Sequence, residues 1–88
     1  MTNDEIINIA TIQGWAMFEY QENIGMLSFR KEDMRINVYT TKMTIATCIN
    51  HPKSGKTQLY RRNVWRKDEL SKIFAKPRVH TGKGYFTK

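Results

Sequence analysis

The chain has 88 residues, of which 40% are apolar and 11% aromatic, and its formal net charge at pH 7 is +7. This length allows one domain with a small core, and the apolar content is too high for a disordered tail. No apolar run approaches the roughly 20 residues of a membrane span, and the first fifteen residues carry two acidic and no basic side chains, which argues against a signal or transit peptide.

The N-terminal segment predicts a helix. Thr2 stands three residues before Glu5, the spacing of a capping box. Ile6 and Ile9 fall at helical spacing, and Gly14 is the expected stop. Because isoleucine is a mediocre helix former, a strand is the alternative for this segment.

From Trp15 onward the apolar residues alternate with polar ones, which predicts antiparallel strands. We expect strands at WAMFEYQ, MLSFRK, MRINVYT, MTIATCIN and TQLYRRNV, with turn-forming residues between them. MTIATCIN is mostly apolar and rich in β-branched residues, so it should be the central, most buried strand. It contains Cys48, which we expect to be a buried small hydrophobe. As the only cysteine, it can form neither an intrachain disulfide nor a structural zinc site, so we expect an intracellular protein, nuclear or cytoplasmic.

The segment HPKSGKT contains the letters G-K-T that also end a phosphate-binding loop. That loop needs a glycine five positions before its Gly-Lys pair, and this position is Asn50. A strand is expected to follow here, whereas the motif requires a helix. The segment therefore predicts a basic loop between two strands, carrying Lys53 and Lys56.

The segment KDELSKIFAK predicts a second helix, with Leu70, Ile73 and Phe74 on one face. Pro77 should end it, because proline disfavours the α conformation in the residue before it. The expected fold is α+β: an N-terminal helix, an antiparallel sheet of four to five strands, a C-terminal helix packed on one sheet face, and a basic tail. We expect residues 1–77 to form a single domain and residues 78–88 a basic, glycine-containing C-terminal segment.

Charge is distributed unevenly along the chain. Residues 1–50 hold four basic and six acidic side chains, whereas residues 51–88 hold eleven basic and two acidic ones. Such asymmetry points to an anionic partner, most often nucleic acid or an anionic membrane.

The sheet face left free by the helix is the first candidate for that partner. Alternation places Arg35, Asn37 and Tyr39 on one side of their strand, and Gln58, Tyr60 and Arg62 on one side of the last strand. Small residues of the strand between them, Thr44, Ala46 and Cys48, would leave room for a flat ligand. Tyrosine can stack on a base, arginine can clamp a phosphate, and an amide can read a base edge. The alternative is an ordinary polar face of a half-solvated sheet.

Two further segments could contact the same ligand. RRNVWRK packs four cations around Trp65 at the start of the second helix, which suits a phosphate, unless Trp65 is a core anchor and its neighbours are simply exposed. Asp68 and Glu69 in the first turn would use up part of that positive potential. The tail contributes Arg78 and Lys83, or else is a disordered arm or an edge strand.

We therefore predict a small basic nucleic-acid-binding domain, with DNA and RNA both open, that uses a sheet face, a basic loop and a tail. The alternative is a protein-interaction module that docks an acidic partner. A small metal-independent nuclease using His51 and His80 is a third possibility. No cofactor or metal site is expected. The predicted contact residues are Arg35, Asn37, Tyr39, Lys53, Lys56, Tyr60, Arg62, Arg66, Lys67, Arg78 and Lys83.

Overall fold

The computed structural model of the protein describes the backbone of residues 1–51 and 55–77 and the side chains of residues 1–48 and 60–77. It contains two α-helices, α1 (Asn3–Ile12) and α2 (Lys67–Ala75). Between them lie five strands: β1 (Ala16–Gln21), β2 (Met26–Lys31), β3 (Met34–Tyr39), β4 (Thr44–His51) and β5 (Gly55–Arg61). The predicted α+β fold is confirmed, and the sheet has five strands. The assignment of residues 1–77 to one domain and 78–88 to a separate segment stays a prediction, since 78–88 lie outside the described residues.

Helix α1 begins at the predicted capping box. The Glu5 amide donates to Thr2 Oγ1 at 3.2 Å, and the Thr2 amide donates to Glu5 Oε1 at 2.8 Å. These two bonds satisfy amides that a helix N-terminus leaves without partners. Gly14 follows the helix with φ +87°, a left-handed conformation that glycine adopts without strain.

The sheet is an antiparallel meander in which the spatial order of the strands equals their order in the chain. The middle strand is therefore β3, and β4 lies beside it; the expectation that MTIATCIN is the central strand is wrong by one position. β4 is nevertheless paired on both sides, and its residues 45–47 are buried. A strand follows HPKSGKT as expected, but β4 runs to His51 and β5 begins at Gly55. Lys56, predicted on the loop, therefore lies in β5 opposite Asn50, and its assignment to the loop is wrong.

Both helices pack on the same face of the sheet. The buried side chains of α1 and α2 meet those of the strands in one cluster, which includes Ile6, Phe29, Ile36, Val38 and Phe74. Phe74 contacts Phe29 and Trp15 edge-to-face, with ring centroids 5.3 and 5.6 Å apart. Such pairs add about 0.5–1.5 kcal/mol each beyond the burial of their area. Among the residues that the structure describes, no helix packs on the opposite face of the sheet.

Helix α2 ends just before Pro77, as the sequence predicts. Its last residue is Ala75, and Lys76, which precedes Pro77, has left the helical conformation. Leu70, Ile73 and Phe74 are all buried, as predicted from their shared face. Cys48 departs from its prediction, because it lies on the helix-free side and is only partly buried.

Trp65 is not a core anchor. Its side chain is 53% exposed, and the neighbouring Val64 is buried instead. The Val64 amide donates to the Met43 carbonyl at 3.0 Å, which ties the segment between β5 and α2 to the turn between β3 and β4. Val64 is therefore part of the core, and the prediction that Trp65 is a core anchor is wrong.

Candidate nucleic-acid interface

The register of β3, β4 and β5 brings the predicted residues to one face. Asn37 pairs with Ala46, which pairs with Tyr60, and Tyr39 pairs with Thr44. Directly opposed residues of antiparallel strands point to the same side of a sheet. The intervening Ile36 and Val38 of β3 are buried under the helices, so this set faces away from them. The predicted sharing of one face is confirmed for Asn37, Tyr39 and Tyr60. The Gln58 side chain lies outside the described residues, and Arg62 follows the end of β5.

A cleft of 540 Å³ opens on this face, at the end of the sheet where β3 turns into β4. It is lined by two aromatic residues, two cations and three small polar side chains: Tyr39, Tyr60, Lys42, Arg62, Thr41, Thr44 and Asn63. Tyr39, Tyr60 and Arg62 belong to the predicted contact set. Lys42, Thr41 and Asn63 do not.

Backbone conformation builds the wall of the cleft. Met43 and Asn63 have φ values of +47° and +59°, in the left-handed region that non-glycine residues seldom occupy. Asparagine adopts this conformation more readily than most residues, whereas at Met43 it costs about 1–2 kcal/mol. At Met43 the cost is offset by a fully buried side chain and by the hydrogen bond from Val64. The turn after β3 and the segment after β5 are thereby held together, with the cleft between them.

Lys42 and Arg62 supply the positive charge of the cleft. Both are exposed, and none of the ion pairs within the described part of the chain involves either of them. Because side chains alternate along β5, the preceding Arg61 lies on the helical side of the sheet, where its guanidinium is 3.6 Å from the Glu69 carboxylate of α2. Lys42 and Arg62 can therefore meet an external anion without first breaking a salt bridge.

A second cationic group lies at the other end of the same face. Arg30 and Arg35 are directly opposed on β2 and β3, an arrangement that is destabilising for like charges. Their guanidinium carbons lie 4.9 and 5.0 Å from the centre of the Phe18 ring, and Arg35 lies 4.0 Å from Glu19. The ring and the carboxylate offset the repulsion.

Asn37 is built into the sheet. It is 8% exposed, and its Oδ1 accepts hydrogen bonds from Ser28 Oγ at 2.7 Å and from Arg35 Nε at 3.1 Å. With its carbonyl oxygen engaged in this way, Asn37 positions the Arg35 guanidinium. It is poorly placed for the predicted reading of a base edge, for which it would need exposure.

Arg66 and Lys67, predicted to contact the ligand, are engaged by carboxylates on the helical side. Arg66 donates to both Asp68 oxygens, at 3.1 and 3.3 Å. Lys67 forms an ion pair with Glu5 of α1, and this hydrogen bond, together with that from the Thr2 amide, lowers the pKa of Glu5 to about 2. Of the two carboxylates anticipated from the sequence, Asp68 thus engages Arg66 and Glu69 engages Arg61, whereas the pairing of Lys67 with Glu5 was not anticipated.

The remaining predicted residues fall outside the described side chains. These are Lys53, Lys56, Arg78 and Lys83, so their part in a site stays a prediction. The sequence analysis missed Lys42, Thr41 and Asn63. For Lys42 and Thr41 the signal available was that TTK joins two strands whose free-face residues were already candidates, so its side chains had to border that face. Asn63 had no such signal, because alternation along the expected strand TQLYRRNV places it on the side opposite to Arg62, and β5 ends earlier, at Arg61.

Within the described ranges, no helix is both long and apolar enough to cross a membrane. No group of three or more His, Cys, Asp or Glu side chains among those residues is arranged to hold a metal ion. In comparisons with known proteins, no family model, curated sequence or solved structure matches the chain.

Proposed function

We propose that the chain is a nucleic-acid-binding domain that holds its ligand on the sheet face left free by the helices. The observation that carries the proposal is the cleft in which Tyr39 and Tyr60 lie beside Lys42 and Arg62. Aromatic rings offer stacking surfaces for bases, and cations neutralise phosphates. An intracellular location, nuclear or cytoplasmic, belongs to the same proposal and rests on the single cysteine.

The charge distribution supports a polyanionic ligand. The cleft is lined by Lys42 and Arg62, and Arg30 and Arg35 lie further along the same face, where Arg35 is paired with Glu19. On the helical side Arg61, Arg66 and Lys67 are each paired with a carboxylate, whereas Lys72 and Lys76 are exposed and belong to none of the ion pairs within the described residues. The support therefore comes from the position of Lys42 and Arg62 beside the tyrosines, and not from a lack of cations elsewhere.

A protein-docking module is the second candidate, and one observation favours it. Strand β1 lies at an edge of the sheet and exposes Met17, Phe18 and Tyr20. Apolar side chains on an unpaired edge commonly mark a protein interface. An acidic partner would add charge attraction from the basic face.

Fluorescence anisotropy separates the two functions. Labelled DNA and RNA of about 12 nucleotides, within the usual site size of a small domain, are titrated with the full chain at low salt. A poly-glutamate peptide of equal charge is then added as competitor. We expect saturable binding of nucleic acid that the peptide displaces poorly, because it has no bases to stack. Displacement at equal charge concentration would favour the protein-docking module, and absence of binding to every nucleic acid would refute the proposal.

A further inference from the structure

We infer that the nucleic acid held in the cleft is single-stranded, with unpaired bases stacked on Tyr39 and Tyr60. This inference rests on the proposed function and adds the form of the ligand to it. It follows from two properties of the site: the orientation that stacking requires and the contents of the cleft.

Stacking requires a base whose face is uncovered. In a duplex each base is covered above and below by its neighbours, and only its edges reach a groove. A single strand can turn its bases out and lay them on aromatic rings. Thr44, opposite Tyr39, lines the cleft together with both tyrosines, whereas Ala46, opposite Tyr60, is buried and does not line it.

The contents of the cleft match a nucleotide. Its volume of 540 Å³ lies within the range of about 300–1,000 Å³ found for sites that enclose small ligands. Lys42 and Arg62 can meet phosphate, while the hydroxyls of Thr41 and Thr44 can hydrogen-bond a sugar or a base edge. Rings, cations and hydroxyls thus lie within one space of suitable size.

The test compares a single strand of about 12 nucleotides with the duplex of the same sequence, in one buffer of about 0.1 M salt, using the unaltered 88-residue chain. We expect the single strand to bind at least about tenfold more tightly, since one stacked base alone corresponds to roughly 5- to 150-fold in affinity. Equal or tighter binding of the duplex would overturn the inference and leave the proposed function standing. If neither form binds, the proposed function fails as well.

Variants identify the rings involved. Tyr39→Leu and Tyr60→Leu should each weaken single-strand binding by about 5- to 150-fold and leave duplex binding nearly unchanged. Tyr39→Phe and Tyr60→Phe, which keep the ring, should bind more tightly than the Leu variants. Tyr20→Leu makes the same chemical change at an exposed position outside the cleft and is expected to bind like the unaltered chain. Equal losses for single strand and duplex in folded Leu variants would contradict the inference.

Discussion

Replacing Lys42 and Arg62 together by glutamine should make the binding of a single-stranded nucleic acid markedly less sensitive to salt. Both side chains line the cleft, both are exposed, and the ion pairs within the described residues include neither of them. The substitutions therefore remove two positive charges from the cleft without breaking a salt bridge between described residues. We expect the free energy of unfolding to change by no more than about 0.5 kcal/mol.

The size of the effect follows from counterion release. Each phosphate contact on a single strand contributes about −0.7 to the slope of log K against log salt concentration, so two contacts contribute about −1.4. We take the contribution of these two contacts to vanish at about 1 M salt. One decade lower, at about 0.1 M, they would then raise the affinity about 25-fold, which corresponds to about 1.9 kcal/mol. The double variant should show that loss and the shallower slope together.

The assay is an anisotropy titration repeated across a salt series. The matched control is Lys72→Gln with Lys76→Gln, which removes the same two charges from exposed positions on α2 and the residue after it. The control should keep the slope, because these lysines lie on the helical side. Equal slope changes in the two double variants would show a net-charge effect, and an unchanged slope for the Lys42 and Arg62 variant would refute the assignment of phosphate contacts to the cleft.

Three further tests address the fold and the rival chemistry. Gly25→Ala should lower the free energy of unfolding in urea by about 2 kcal/mol or more, because Gly25 has φ +64° and a Cβ there would lie 2.8 Å from Thr40 Oγ1. Gly14→Ala, with φ +87° but no contact closer than 3.5 Å, should cost less, and equal losses would contradict the steric argument. Glu5→Gln should remove a stability contribution that is present above pH 4.5 and lost as the pH falls toward 2, because the Lys67 ammonium lowers the pKa of Glu5 to about 2. Stability measured across that range should therefore converge for the two proteins at acid pH, and a constant difference would argue against this pKa shift. RNA incubated without metal should stay intact with the unaltered chain and with His51→Ala, His80→Ala, whereas cleavage by the unaltered chain alone would support the nuclease.

Local rules predicted the elements of this fold because each element carries its own signal. The pairing of Thr2 with Glu5 starts α1, and Pro77 lies just beyond the end of α2. The tyrosine-bearing face was predictable for a similar reason. In a meander with short turns, side-chain alternation along each strand continues across its neighbours, so Tyr39 and Tyr60 reach the same side.

The remaining features depend on backbone geometry that alternation does not encode. Lys42 borders the cleft because the following residue, Met43, adopts a left-handed conformation that no composition signal marks. Trp65 was assigned too much burial because hydrophobicity alone favours a core position. Val64 occupies the core position instead, and its amide donates to the Met43 carbonyl. The buried Val64 side chain and this hydrogen bond together fix the path of the chain from β5 to α2.

The packing of Phe74 against Phe29 and Trp15, with the Trp15 indole donating to the Phe74 carbonyl at 2.9 Å, has a consequence during synthesis. The apolar face of β2 is translated 45 residues before Phe74, the residue that covers it. At about 5–20 residues per second, a ribosome needs about 2–9 s to make that stretch. Helix α1 is made before the sheet and can cover part of its core face, but the part that packs against Phe74 stays uncovered during this interval. Native packing of the core is therefore complete only after α2 has been made.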